Sequence, residues 1–210
     1  MTKVHIAIKS CHKYAERRAA QLDTWLGDCE VEYFFLVGES AQPRRPSFDC
    51  GRIHCPSSDD FANIAPKVWY ACRQALQARV TNLFVCDDDS YVVPARLLST
   101  DFAKHDYIGF VRSHCTPPYM QGSSFWLSER AMHFIVAQPE KMGIGIPDDV
   151  AVGRCLYGNV PFVHEHRFAV ADPYPQRDKW PARHNDVISC HKCLPDVMHK
   201  VHEHWLASQK

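Results

Sequence analysis

No apolar run in this 210-residue sequence approaches the roughly 20 residues that cross a bilayer. A secretory leader is not legible either, because Met1-Thr2-Lys3 leads straight into a strand-like run. Neither sign of charge is in excess: Lys+Arg and Asp+Glu are both 24. A nucleic-acid partner would call for a basic stripe and an acidic tail for a block of carboxylates, and the sequence has neither. Internal repeats and low-complexity tracts are also missing, which excludes solenoids and arrays. What remains is 46% apolar, enough for a full core at a length where one domain over residues 1–210 is expected.

Ten cysteines are the compositional excess. Cys72, Cys86 and Cys155 lie inside apolar runs, where a free thiol behaves as a small hydrophobe. The expectation is therefore free thiols in a reducing, cytoplasmic compartment. A lumenal domain trimmed of its targeting segment is the alternative.

Apolar patterning predicts strands over 4–8, 31–37, 82–86, 107–111 and a short one over 123–127. Helices are expected over 14–25, from Ile64 to Leu76, over 129–137 behind Ser128 as N-cap, over 148–156, and from about Pro195. Residues 39–60 and 165–187 read as polar, Pro-rich loops. Strands alternating with helices predict an α/β class with a central, mainly parallel sheet flanked by helices. Such sheets bind ligands beyond the carboxyl ends of their strands.

The run Asn82-Leu83-Phe84-Val85-Cys86 stops abruptly at Asp87-Asp88-Asp89, then returns to apolar Tyr91-Val92-Val93. Three adjacent carboxylates repel one another, and a hard cation at a strand end relieves that repulsion. Mg²⁺ or Mn²⁺ would leave positions open for substrate phosphates. The bland alternative is a solvated acidic turn.

Six blocks in order carry a resemblance that runs from about Val4 to Met198. They are Glu16-Arg17-Arg18…Thr24-Trp25; Asp59-Asp60-Phe61…Lys67; Phe84-Val85-Cys86-Asp87-Asp88-Asp89-Ser90-Tyr91; Tyr119-Met120-Gln121-Gly122-Ser123-Ser124-Phe125-Trp126-Leu127-Ser128; Asp148-Asp149-Val150-Ala151-Val152-Gly153-Arg154-Cys155-Leu156; and Ile188-Ser189-Cys190-His191…Pro195…Met198. Together they resemble the β1,3-galactosyltransferase/Fringe superfamily of inverting glycosyltransferases. The sequence departs from that pattern at Leu22, where the family has arginine, and at Ser123 and Ser124, where it has glycines.

The resemblance implies a GT-A, Rossmann-like fold, a UDP-sugar donor of galactose or N-acetylglucosamine type, and Mn²⁺ or Mg²⁺. The acceptor would be a glycan, glycoprotein or glycolipid. It assigns Asp89, Asp87 and His191 to the metal, and Asp149 to the catalytic base with Asp148 orienting either that base or the acceptor. Asp87, Asp88, Arg18, Asp59, Asp60 and Gly122 are the candidate donor contacts. Asp148 and Asp149 also suit a helix N-terminus after Pro147 on electrostatic grounds alone. Cys190-His191-Lys192-Cys193 reads in addition as half of a zinc knuckle, with Cys50 and Cys55 as the nearest other thiols. Two other functions stay open: a binding module of this fold without turnover, and a metal-dependent phosphate-ester enzyme.

Overall fold

A computed structural model describes residues 2–39, 47–49, 51–169 and 186–210. Its central sheet has eight strands: β1 Val4–Lys9, β2 Glu32–Gly38, β3 Ser47–Asp49, β4 Arg52–Cys55, β5 Asn82–Asp87, β7 Tyr107–Arg112, β8 Tyr119–Ser128 and β9 Phe162–His164. Their spatial order is β3-β4-β2-β1-β5-β8-β7-β9. A second sheet joins β6 Tyr91–Val92, β10 Phe168–Ala169 and β11 Ser189–Cys190. Six α-helices among the described residues accompany them: α1 Ala15–Leu22, α2 Ile64–Gln77, α3 Pro94–Leu98, α4 Glu129–Val136, α5 Asp148–Leu156 and α6 Pro195–Ser208.

The strands β4, β2, β1 and β5 run parallel, whereas β8 runs antiparallel to both β5 and β7. The period of two along β1 and β5 divides the core between the faces of the sheet. Ala7, Leu83 and Val85 point to the side covered by α2, α4 and α5. Ile6, Ile8, Phe84 and Cys86 point to the side covered by α1 and α6. Strands buried on both faces lose their polar alternation, which is why β1 and β5 read as continuous apolar runs.

The expected class holds, with corrections at the edges. Residues 39–60 are not simply a loop: β3 and β4 extend the sheet there, with Ile53 and Cys55 alternating against Arg52 and His54. The strand expected over 123–127 is the last half of the ten-residue β8. The first helix stops at Leu22, and Trp25 is buried in the turn beyond it. Of the loop expected over 165–187, residues 170–185 lie outside the described residues, and so does Cys50. Ser128 caps α4 as expected, its hydroxyl accepting from the Ala131 amide at 3.1 Å. No helix among the described residues is long and apolar enough to cross a membrane.

Helix α5 sits directly on β8 at Gly153. A Cβ there would lie 2.5 Å from Tyr119 Cβ and 3.0 Å from the Pro118 carbonyl oxygen. Gly153→Ala should therefore destabilise the fold by about 1–3 kcal/mol, an overpacking cost. Denaturant midpoints measure it, and an unchanged midpoint would refute so close a contact.

Candidate active site

The carboxyl ends of β1 and β5 lie side by side, with Lys9 paired in register to Asp87. Residue 122, midway along β8, reaches the same level from the antiparallel side, where Lys9 Nζ donates to the Gly122 carbonyl at 2.7 Å. These elements wall a cavity of about 590 Å³. Asp87, Asp88, Asp89, Asp148, Asp149, His191, Asp59, Asp60 and Gly122 all line it.

The small sheet explains how residues so distant in sequence meet. Strand β6 begins just after the aspartates, β11 ends just before His191, and Cys190 pairs with Tyr91 across them. The Cys193 amide then donates to the Asp89 carbonyl at 2.7 Å, closing the loop around His191. Of the serines that replace family glycines, Ser124 reinforces this join, its Oγ lying 2.7 Å from Ser189 Oγ; Ser123 adds only its backbone carbonyl, which accepts from Ser90 Oγ at 3.1 Å as a glycine's would.

As a result Asp87, Asp89 and His191 offer ligand atoms that all lie within 4.8 Å of one another. His191 Nε2 stands 3.3 Å from Asp87 Oδ2 and 3.1 Å from Asp89 Oδ1. Asp89 Oδ1 is nonetheless buried and without an aligned hydrogen bond. Ligand atoms that converge this closely suit a shared cation. Asp89 is lowered below the ordinary carboxylate range: burial opposes its charge, but His191, Arg17 and Lys9 outweigh that.

Asp88 turns the other way, accepting from Ser10 Oγ at 2.7 Å and Arg17 Nη1 at 3.1 Å. Burial pushes it up to about 6 despite both partners. Asp148 and Asp149 open α5, as helix-terminal carboxylates should. Asp148 Oδ2 accepts from Lys9 Nζ at 2.6 Å and is committed to that pair. Asp149 Oδ1 accepts from the Val150 amide at 2.8 Å, and Oδ2 only at 3.3 Å from the Gly122 amide. Asp149 is raised, first by burial and then by the neighbouring Asp148 charge. It is thus the less encumbered of the two carboxylates, with a proton affinity above that of a solvated one.

Asp59 and Asp60 line the cavity but are held by the fold. Asp59 ties three segments together, accepting from the Gly38 amide at 2.6 Å, Lys67 Nζ at 2.6 Å and the His12 amide. Asp60 caps the turn after it, accepting from Asn63 N at 3.1 Å and Nδ2 at 2.8 Å. Arg18 is placed behind the wall, donating to Ser10 Oγ at 2.9 Å and to the Cys11 carbonyl. Its neighbour Arg17 faces the cavity instead, over the Tyr14 ring and beside Asp88 and Asp89. Cys190 and Cys193 bring their sulfurs to 3.7 Å, but Asp87, Asp89 and His191 form the only metal-like group of three among the described residues.

Lys9 was missed by the sequence reading. Its side chain is 2% exposed, and its ammonium lies 2.9 Å from Asp87 and 2.6 Å from Asp148. Burial works against its charge, yet those two carboxylates raise its pKa above the ordinary lysine value, so it stays protonated. The signal was available in principle: Lys9 is the last residue of β1, at the strand end where α/β sheets bind ligands.

The model of the Fringe-like family matches residues 1–109, just over half of the chain. The chain belongs to the Fringe-like family. No curated protein sequence gives a significant match. Among solved structures, a glycosyltransferase involved in glycosylation of the major capsid of PBCV-1 is similar over 96% of this chain and 99% of its own, with a TM-score of 0.59 at 10% identity. The galactosyltransferase LgtC, solved with donor and acceptor sugar analogues, is similar over 91% of this chain and 87% of its own, with a TM-score of 0.54 at 13% identity. GlyE of Streptococcus pneumoniae TIGR4, also a glycosyltransferase, is similar over all of this chain and 64% of its own, with a TM-score of 0.55 at 8% identity.

The Fringe-like protein is accordingly a glycosyltransferase on a GT-A fold. The family match holds Asp87–Asp89 and stops before Asp149 and His191. Those two join the site through β11 and α5, that is, through the tertiary structure.

Proposed function

We propose that this Fringe-like protein is an inverting, Mn²⁺-dependent hexosyltransferase. It moves galactose or N-acetylglucosamine from a UDP-sugar to a hydroxyl of a glycan, glycoprotein or glycolipid. The observation that carries the reading is one cavity lined both by the convergent Asp87, Asp89 and His191 and by the lightly bonded carboxylate of Asp149.

Two carboxylates suit a hard divalent ion, and the imidazole favours Mn²⁺ over Mg²⁺. When bound there, the ion would offset the negative charge that gathers on the leaving diphosphate. Arg17 and Lys13, both lining the cavity, supply further positive charge for the phosphates. Asp149 Oδ2 takes the proton of the acceptor hydroxyl as that oxygen bonds to the anomeric carbon and UDP departs from the opposite face. Lys9, fixed between Asp87 and Asp148, sets the spacing between the metal end and the base end of the cavity.

Calorimetric titration of UDP with Mn²⁺, then with EDTA, tests the donor and metal assignment. Binding should need the metal and weaken by at least about a hundredfold in Asp89→Ala, since even outer partners of metal ligands cost 10–100-fold. UDP binding that is indifferent to both EDTA and Asp89→Ala would remove the metal from the proposal.

A further inference from the structure

Three successive carboxylates push one another apart, so the turn that carries Asp87, Asp88 and Asp89 has to be held from outside. Its ends are close, with the Ser90 amide donating to the Asp87 carbonyl at 3.1 Å. Helix α1 packs against this turn. Arg17 and Gln21 are four residues apart and share a face of that helix. Arg17 Nη1 reaches the side chains of Asp88 at 3.1 Å and Asp89 at 3.4 Å. One helical turn on, Gln21 reaches the backbone: its Nε2 donates to the Asp87 carbonyl at 3.2 Å and to the Ser90 carbonyl at 3.0 Å. The two N–H groups of one amide bridge both ends of the acidic turn.

Gln21 is 0% exposed and stands behind the cavity wall, so whatever it does for the site it does through this turn. Its Oε1 is buried too and accepts no hydrogen bond among the described residues. A buried carbonyl oxygen without a donor is costly, and an apolar side chain of the same length would avoid that cost. Fold stability alone gives little reason for an amide here. The two donors aimed at the turn give one.

We infer that Gln21 is a positioning residue, which fixes the backbone of the acidic turn so that Asp87 and Asp89 stand ready for one divalent cation. This rests on the reading of Asp87, Asp89 and His191 as metal ligands. A turn already closed spares the cation the work of closing it against carboxylate repulsion, and the saved ordering shows as affinity. A neutral amide does this without adding positive charge beside the cation, as a lysine at the same position would.

The test uses the full chain with UDP and Mn²⁺. The EPR signal of free Mn²⁺ gives the affinity, and the zero-field splitting of the bound ion reports its ligand arrangement. Gln21→Met keeps the length and volume and removes both donors. It should weaken Mn²⁺ binding about tenfold, the lower end of what outer partners of metal ligands contribute, and alter the splitting. Its urea midpoint should stay near wild type, because the stranded Oε1 leaves with the donors. Gln21→Leu, apolar with a different shape, should weaken Mn²⁺ binding alike. Thr24→Val is the control: Thr24 Oγ1 donates to the Ala20 carbonyl at 2.6 Å, so its loss loosens the same end of α1 without touching the turn. Its Mn²⁺ affinity should match wild type. Wild-type affinity in either Gln21 variant overturns the inference and leaves the metal reading intact. An equal loss in Thr24→Val does the same, making the effect one of helix packing, and so does failure of both Gln21 variants to fold. UDP binding by wild type that needs no Mn²⁺ would bring down the metal reading and this inference with it.

Discussion

Replacing Asp149 by asparagine is expected to abolish sugar transfer and to leave metal-dependent UDP binding at the wild-type level. A general base in place contributes about 10²–10⁴ in rate, and asparagine keeps the volume while losing the proton acceptor. The local cost is small. The amide oxygen can still accept from the Val150 amide at 2.8 Å, and only the long 3.3 Å contact with Gly122 is lost. The pH profile gives a second readout. As the proposed base Asp149 would work ionised, and burial followed by the Asp148 charge raises its pKa. A raised pKa keeps the inactive, protonated form populated to higher pH, so transfer rises with pH through a limb above the ordinary aspartate value of about 3.9. Initial rates of transfer across pH, at saturating UDP-sugar, locate that limb. Transfer by the asparagine variant within a few-fold of wild type would take Asp149 out of the chemistry.

The helix that begins at Asp148 and Asp149 was readable before the fold because Asp148 to Leu156 form one continuous pattern. The buried parallel strands were readable for a related reason: burial on both faces leaves β1 and β5 apolar along their length. Edge strands give a weaker signal. In β4 only Ile53 and Cys55 alternate, among prolines, serines and aspartates that read as loop. The choice between Arg17 and Arg18 was not available from sequence. Adjacent residues on a helix point about 100° apart, and nothing in the spacing says which of them faces the cavity. The convergence of His191 on Asp87 and Asp89 depends on pairing between two-residue strands, β6 and β11, too short to register as a periodic pattern. Lys9 stayed hidden because a lysine ending an apolar run is ordinarily a solvated one. Its role comes from the three groups the fold brings to it.

That role makes Lys9→Met the variant with the largest expected effect on stability. The Lys9 side chain is 2% exposed, and its ammonium lies between Asp87 at 2.9 Å, Asp148 at 2.6 Å and the Gly122 carbonyl at 2.7 Å. Methionine fills the stem but leaves Asp148, which is 5% exposed, without its counter-charge. Removing one partner of a buried pair costs about 3–5 kcal/mol, most of it from the stranded charge. Asp148→Asn in the same chain removes that charge, so Lys9→Met/Asp148→Asn should be more stable than Lys9→Met alone, a non-additive result expected of residues in contact. Urea unfolding at constant m-value reads both steps. Transfer should not return with stability, because neither neutral side chain can hold β5, β8 and the start of α5 at one point. A double variant that regained both would reduce Lys9 to a charge compensator. A single variant as stable as wild type would contradict the burial of the pair.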